Sequence, residues 1–156
     1  MSLERDVFPA LLENGYKIAV FKGCKYWMEI GTPEKYLQTH EDIMAGDCHI
    51  AGVHFDRRGV YKGDNSTIDT TVDINGPVYI GNNVTIEAFA TIGPNTVIGD
   101  DVCIHAGGSV INSILWNRVN LESFAEMYGI VAALNFKVDC SDVDTIVSNE
   151  RVKLTI

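Results

Sequence analysis

Isoleucine or valine occurs at every sixth position through the middle of the chain, and this period is the strongest pattern in the sequence. Its members are Ile68, Ile74, Ile80, Ile86, Ile92, Ile98, Ile104 and Val110. A second register follows four positions after the first: Val72, Val78, Val84, Ala90, Thr96, Val102 and Gly108. Turn-forming residues such as Gly81-Asn82-Asn83 and Gly99-Asp100-Asp101 separate the hexads. Because Gly, Asn and Asp tolerate positive φ, they fit tight corners.

A period of six fits short strands and excludes a helix. A helix turns once every 3.6 residues, so this spacing would spread the isoleucines around its surface. The frequent Gly, Asn and Pro residues would also break a helix. Three six-residue faces make a triangular coil of about 18 residues, and ladder hydrogen bonds stack such coils about 4.8 Å apart. The pattern therefore predicts an all-β solenoid of parallel strands with the large aliphatic side chains inside.

Residues 1–46 lack the six-residue period and form a separate predicted unit. A short helix is expected at Phe8–Leu12, ending at Gly15, followed by a strand at Tyr16–Phe21. Thr32 is a good N-cap, with Pro33 at the first helical position, and predicts a helix that ends at Gly46. We therefore divide the chain into residues 1–46, a β-helix over 47–120, and a closing segment over 121–156.

The flanks of the repeat are less regular than its centre. Ile50, Val53, Phe55 and Val60 suggest an imperfect first coil, and Ile114, Val119 and Leu121 suggest one more coil after Val110. Residues 121–135 have apolar positions three and four apart, which predicts an amphipathic helix with Asn120 as N-cap. The alternative is a further coil through Leu121, Ala125 and Met127. Residues 143–156 predict a last strand.

Charge and composition exclude several kinds of partner. The 156 residues include 12 Lys and Arg against 21 Asp and Glu, a net charge of −9. Nucleic acids and anionic membrane surfaces require clustered basic residues, so neither is an expected partner. No run is long and apolar enough for a membrane span, and the N-terminal residues lack a signal-peptide layout. The four cysteines form no CxxC pair and are expected to be reduced in the cytoplasm.

The first 46 residues and the hexads together resemble a known family. Tyr26, Trp27, Ile30, Gly31, Thr32, Pro33, Glu34 and Tyr36 match a phrase that closes the catalytic domain of sugar-1-phosphate nucleotidyltransferases. In that family a connecting helix then leads into hexapeptide repeats. Within it, the strings INGPVYIG, IGPNTVIGD and SILW are most similar to mannose-1-phosphate guanylyltransferases and their glucose-1-phosphate relatives. The resemblance implies a left-handed parallel β-helix with flanking helices and an N-terminal α/β remnant.

The resemblance also implies a reaction. Members join a sugar-1-phosphate to a nucleoside triphosphate and release pyrophosphate, with Mg²⁺ held by carboxylates. Glu29 occupies the family's second metal-binding position, usually Asp; otherwise it is a solvated or hydrogen-bonded carboxylate. The family's Gly-x-Gly-Thr-Arg signature does not occur here, so we expect no transferase activity and no cofactor in this chain alone. Its expected role is oligomerisation or regulation, with the catalytic domain as partner and a homo-oligomer formed by outward residues such as Tyr79, Phe89 and Cys103.

Two other functions remain open. A hexapeptide acyltransferase would use a histidine as general base beside a coenzyme A groove, and His105 is the candidate on the repeat. The simpler interpretation of His105 is a surface side chain at a corner. A γ-type carbonic anhydrase is disfavoured, because only one of the four histidines lies in the regular repeat. A stand-alone structural scaffold is the non-enzymatic alternative.

Overall fold

The computed structural model describes residues 1–23, 26–133 and 136–139. A π-helical turn at Leu3–Val7 leads into α1 (Phe8–Glu13), and α2 spans Pro33–Ala45. The strands, in chain order, are β1 (Val60–Lys62), β2 (Thr67–Ile68), β3 (Asp73–Ile74), β4 (Val78–Ile80), β5 (Thr85–Ile86), β6 (Thr91–Ile92), β7 (Thr96–Ile98), β8 (Cys103–Ile104), β9 (Ser109–Ile111), β10 (Ile114–Leu115), β11 (Asn120–Leu121), β12 (Glu126–Tyr128), β13 (Ile130–Ala133) and β14 (Phe136–Asp139).

Every third strand joins the same sheet, which produces a three-sided solenoid. Sheet 1 has the order β1-β4-β7-β10-β13-β14, sheet 2 the order β2-β5-β8-β11, and sheet 3 the order β3-β6-β9-β12. All pairs are parallel except β13 with β14, which is antiparallel. This architecture is that of a hexapeptide-repeat β-helix of about four turns, so the predicted fold class is confirmed.

The six-residue register forms the centre of the core. Its fully buried members are Ile80, Ile86, Ile92, Ile98, Ile104 and Val110, each no more than 1% exposed. Ile68 and Ile74 belong to the first coil and are only half-buried. Strands β2 and β3 are the terminal strands of their sheets, so one side of each of these isoleucines has no neighbouring coil to pack against.

One corner is fixed by columns of polar side chains. Asn65, Asn83 and Asp101 all adopt positive φ near 55°, and neighbouring members of this column hydrogen-bond through their side chains. In the adjacent column, the side chains of Asn82, Asp100 and Asn117 each accept a hydrogen bond from the backbone N–H one coil earlier. The turn chemistry read from the sequence therefore also links the coils.

The helix predicted over 121–135 is wrong, and the alternative of a further coil is correct, because residues 121–133 form a coil made of β11, β12 and β13. Its register was hidden by a change in coil length. Ile92 pairs with Val110, 18 residues later, but Val97 pairs with Ile114, only 17 residues later. The corner after Val110 is thus one residue shorter, and the inward positions continue as Leu115, Leu121, Met127 and Ala132, all buried. Strand pairing across the sheets outweighed the local helical spacing.

The predicted strand at Tyr16–Phe21 is also wrong, since the described backbone there pairs with no other strand. A strand needs a neighbour for its backbone hydrogen bonds, and the described residues offer none to this segment. The two helices agree with expectation. Helix α2 has Thr32 as N-cap, accepting from the Lys35 N–H, and ends at Gly46 in the left-handed region. The predicted strand at 143–156 lies outside the described residues.

Helix α2 packs on the outer face of sheet 1. Leu37, its one buried residue, contacts Ile114 and Val131 in a small cluster of its own, and Tyr36 packs beside it. Residues 50–55 form no strand; Ile50, Val53 and Phe55 instead line a space beneath the helix. In the described part of the chain, no helix is long and apolar enough to cross a membrane.

We predict that Ile92→Ala lowers the free energy of unfolding by about 2–5 kcal/mol, because it opens a cavity between stacked coils. Ile92 is completely buried, whereas Thr85 on a neighbouring sheet is exposed. Thr85→Ala is therefore the control, and it is expected to change stability by no more than about 0.5 kcal/mol. Denaturant unfolding followed by circular dichroism measures both. Equal effects of the two substitutions would contradict the inward assignment of the six-residue register.

Candidate functional site

A histidine and a glutamate are brought together on the outer face of sheet 2. Glu87 follows β5 and His105 follows β8, the next strand of that sheet, so the two residues are 18 positions apart and adjacent in space. Nδ1 of His105 lies 3.0 Å from Oε1 of Glu87. The other oxygen of Glu87, Oε2, accepts a hydrogen bond of 3.0 Å from the Ala106 N–H. Both carboxylate oxygens are thus occupied, and the imidazole is held in one orientation.

Cys103 completes this cluster from within β8. Its Sγ lies 3.8 Å from Nε2 of His105, and the ligand atoms of Glu87, Cys103 and His105 all fall within 4.8 Å of one another. The three side chains are partly exposed. Burial, and secondarily the negative charge of Glu87, raise the pKa of the Cys103 thiol. The thiol is therefore protonated at neutral pH, and the cluster has sulfur, nitrogen and oxygen atoms together on one rigid face.

Asn120 in β11 lies beside Cys103 in the strand register. Its Oδ1 is shielded from solvent and has no hydrogen-bond partner. A shielded polar atom without a partner is costly, typically about 1–3 kcal/mol. This oxygen is therefore a further candidate for interaction with a group bound at the cluster.

A second feature is an apolar cavity of about 240 Å³ between α2 and sheet 1. Helix α2 contributes His40, Ile43 and Met44, the segment after it contributes Ile50, Val53 and Phe55, and sheet 1 contributes Tyr79 and Val97. Burial lowers the pKa of His40, whose ring also meets Tyr36 edge-on at 4.8 Å. Tyr79 stacks on Tyr61 at 4.7 Å. Tyr79, predicted as an outward interface residue, thus makes its contacts within the chain.

Glu29, the predicted metal ligand, is exposed in the extended segment that precedes α2. The group of possible metal-binding side chains found in the described residues does not include it. Nearby, the hydroxyl of Tyr26 donates a 2.8 Å hydrogen bond to Asp42, which ties the extended segment to α2 and raises the pKa of Tyr26. The role of Glu29 as a magnesium ligand therefore stays a prediction.

His105 is a candidate from the sequence, but its two partners are not. Cys103 is predicted only as an outward interface residue, and Glu87 has no predicted role. The signal was nevertheless present, because Glu87 precedes His105 by one 18-residue coil. In a parallel solenoid, residues one coil apart lie side by side on neighbouring strands. A search for chemically matched residues at that spacing would have found the pair.

These features define a solenoid of hexapeptide repeats, and residues 63–94 and 79–113 match the family described as Bacterial transferase hexapeptide (six repeats). Among curated proteins, the chain is similar to the mannose-1-phosphate guanylyltransferase of Mycobacterium tuberculosis (strain ATCC 25618 / H37Rv), with 43% identity over 47 residues. It is also similar to the valienol-1-phosphate guanylyltransferase of Streptomyces hygroscopicus subsp. limoneus, with 35% identity over 49 residues. The predicted resemblance is confirmed.

Both similarities are local. They cover 30% and 31% of this chain, and each covers 13% of the relative's length. The chain thus matches about one eighth of each of these guanylyltransferases.

We predict that Glu87→Gln speeds alkylation of Cys103 near neutral pH. The substitution removes a negative charge that helps to raise the thiol pKa, so a larger thiolate fraction forms at a given pH. Iodoacetamide labelling at several pH values, quantified at each cysteine by mass spectrometry, measures the change. The rate at Cys48, another free and partly buried cysteine, serves as the internal reference. Glu126→Gln, on sheet 3, is the control; if it accelerates Cys103 equally, Glu87 is not the relevant charge.

Proposed function

We propose that this chain forms the β-helix part of a sugar-1-phosphate guanylyltransferase, an enzyme that joins a nucleoside triphosphate to a sugar-1-phosphate and releases pyrophosphate. The local similarity to two guanylyltransferases and the order of the elements support this proposal. That order is an apolar extended segment, helix α2, and then the hexapeptide solenoid. In the proposed enzyme the solenoid is the scaffold, and the nucleotide and the sugar phosphate bind to a catalytic domain.

The observation that carries the proposal is an exposed apolar strip before α2. The strip consists of Tyr16, Val20, Phe21, Trp27 and Ile30, each more than half exposed. Trp27 alone is 76% exposed. Large exposed apolar patches are rare on monomeric soluble proteins and mark contact surfaces, and a run of exposed large apolar side chains is suited to such a contact. We propose that a nucleotidyltransferase catalytic domain, on the same polypeptide or another, covers this strip.

Helix α2 would fix the catalytic domain relative to the solenoid. The strip is tied to α2 by the hydrogen bond between Tyr26 and Asp42, and α2 is anchored on sheet 1 through Leu37. A movement of the solenoid relative to the catalytic domain would therefore be transmitted to the strip by helix α2. This arrangement supports a structural or regulatory role. Glu29 lies within the covered segment, and in the proposed enzyme it would be available to the catalytic domain as a carboxylate for Mg²⁺.

We expect Trp27→Asp to weaken the complex between this chain and a sugar-1-phosphate nucleotidyltransferase catalytic domain from the same organism by about 10-fold or more, because it places a charge in a desolvated contact. Sedimentation velocity measures the binding, and pyrophosphate release from GTP and a sugar-1-phosphate measures the activity of the complex. Tyr128→Asp is the control, since Tyr128 is similarly exposed but lies on sheet 3.

Two results would contradict this proposal. One is the absence of a complex, and the other is an equal loss of binding in Tyr128→Asp. The acyltransferase alternative gives a different result: acetyl-coenzyme A would bind to the isolated chain, and His105→Ala would abolish the binding.

We also propose that the chain self-associates through one corner of the solenoid. Phe89 and Phe124 occupy equivalent positions at this corner, two coils apart, and are 73% and 79% exposed. Between them in the column is Gly107, whose lack of a side chain leaves room for the Phe124 ring; an added Cβ would lie 2.5 Å from it. The corner is therefore an aromatic ridge. Of the three outward residues predicted for an interface, Phe89 is the one that remains widely exposed.

We predict that the purified chain sediments as a species larger than one 17.2 kDa protomer at micromolar concentration. Phe89→Asp is expected to shift it toward the protomer, because burying the new carboxylate in an interface is costly. Thr67→Asp adds the same charge to an exposed position on sheet 2 and is the control. A wild-type chain that sediments only as the protomer would contradict self-association.

A further inference from the structure

We propose that Cys103 Sγ and His105 Nε2 bind a zinc ion on the outer face of sheet 2, with Glu87 orienting the histidine. The proposal concerns the solenoid itself and is independent of whether a catalytic domain covers the strip before α2. Cys103 and His105 are two residues apart in extended backbone, where successive side chains point to opposite faces. Both side chains therefore lie on the outer face of sheet 2, while Ile104 between them is buried. The two ligand atoms are thus presented together by β8 and the residue that follows it.

The separation of the two atoms fits a single zinc ion. In tetrahedral sites Zn–S is about 2.3 Å and Zn–N about 2.05 Å, which places the sulfur and nitrogen about 3.5 Å apart. The observed distance from Sγ to Nε2 is 3.8 Å. Small side-chain rotations therefore suffice for both atoms to reach one ion.

Glu87 supplies the partner that a zinc-binding histidine usually has. Histidines that bind zinc commonly donate their other ring N–H to a carboxylate, which fixes the tautomer and orients the ring. His105 has this arrangement, with Nδ1 lying 3.0 Å from Oε1 of Glu87. With the proton on Nδ1, the lone pair of Nε2 is directed to the side where Cys103 lies. Glu87 is itself held by the Ala106 N–H, so the orienting group is fixed as well.

The surroundings offer a candidate third ligand atom, an oxygen, and a negative charge that favours a cation. Asn120, beside Cys103, has a shielded Oδ1 with no hydrogen-bond partner, and this oxygen and water are candidates for the remaining zinc positions. In the same outer column of sheet 2, Asp69 lies one coil before Glu87, and Glu122 lies one coil after His105. Their charge attracts a divalent cation, and the thiolate favours zinc over magnesium.

Binding requires the Cys103 thiol to lose its proton. Zinc coordinates the thiolate, so one proton passes to solvent for each ion bound, and no redox step is involved. A nucleophilic cysteine is the other chemistry that such a Cys–His–Glu group could support. That chemistry requires no bound cation, so titration with zinc distinguishes the two. A bound cation supplies the positive charge that stabilises the thiolate.

Isothermal titration of the purified chain with zinc chloride, in two buffers of different ionisation enthalpy, tests the site. We expect one zinc ion and about one released proton per chain, and no comparable binding of Mg²⁺. Co²⁺ serves as a spectroscopic probe, with a thiolate-to-cobalt charge-transfer band in the near ultraviolet. Cys103→Ser and His105→Ala are each expected to abolish the band and the zinc binding. Glu87→Gln is expected to weaken zinc binding by about 10–100-fold.

Cys48→Ser is the matched control, because Cys48 is also a free, partly buried thiol but lies outside the solenoid strands. It is expected to leave both the band and the zinc binding unchanged. Circular dichroism establishes that each variant is folded. Absence of zinc binding by the wild-type chain would overturn the proposal. So would a cobalt band that survives Cys103→Ser, or zinc binding that Cys48→Ser weakens as much as Cys103→Ser.

Discussion

The structure depends on in-register stacking of inward aliphatic side chains from one coil to the next. Ladder hydrogen bonds fix the spacing between coils, so each inward residue packs on its equivalent about 18 positions away. Ile80 and Ile98 pair directly in this manner, and both are fully buried. At the end of the stack this packing is incomplete, so Ile68 and Ile74 are only half-buried. Stability therefore comes from neighbouring coils and not from any single coil.

Because the stacked coils exclude water from the interior, polar side chains buried there need hydrogen-bond partners within the protein. Among the described residues, Ser66, Thr96 and Ser113 are buried and each makes a hydrogen bond; Thr96, for example, donates to the carbonyl of Val110. Ser66 donates to the carbonyl of Gly81 and accepts from the Val84 N–H. Ser113 holds the shortened corner through the carbonyl of Ile111 and the Ile130 N–H. These bonds offset the cost of burying a hydroxyl. The irregular corner is thus held by its own hydrogen bonds.

Stacking also organises the outside of the solenoid. Any two residues one coil apart on a sheet face are neighbours, so a chemical pair can arise without any local motif. Glu87 and His105 are such a pair, and their contact is fixed by the register of β5 and β8. The segment before α2 is the opposite case: it pairs with no strand among the described residues, and its large apolar side chains are exposed. The chain thus combines a self-sufficient scaffold with a segment suited to contact another surface.

The sequence by itself determined the solenoid, the core positions from Ile80 to Val110 and the caps of α2, because each of these rests on local spacing or local turn chemistry. Tertiary structure decided that residues 121–133 form a coil. The corner before Ile114 is one residue shorter, which hides the six-residue register in the sequence, and the pairing of Ile114 with Val97 sets the register of the strands that follow. It also decided that 16–21 is not a strand, since pairing needs a partner. The Glu87–Cys103–His105 cluster joins residues from two coils, and its contacts exist only once parallel pairing has set which residues are neighbours.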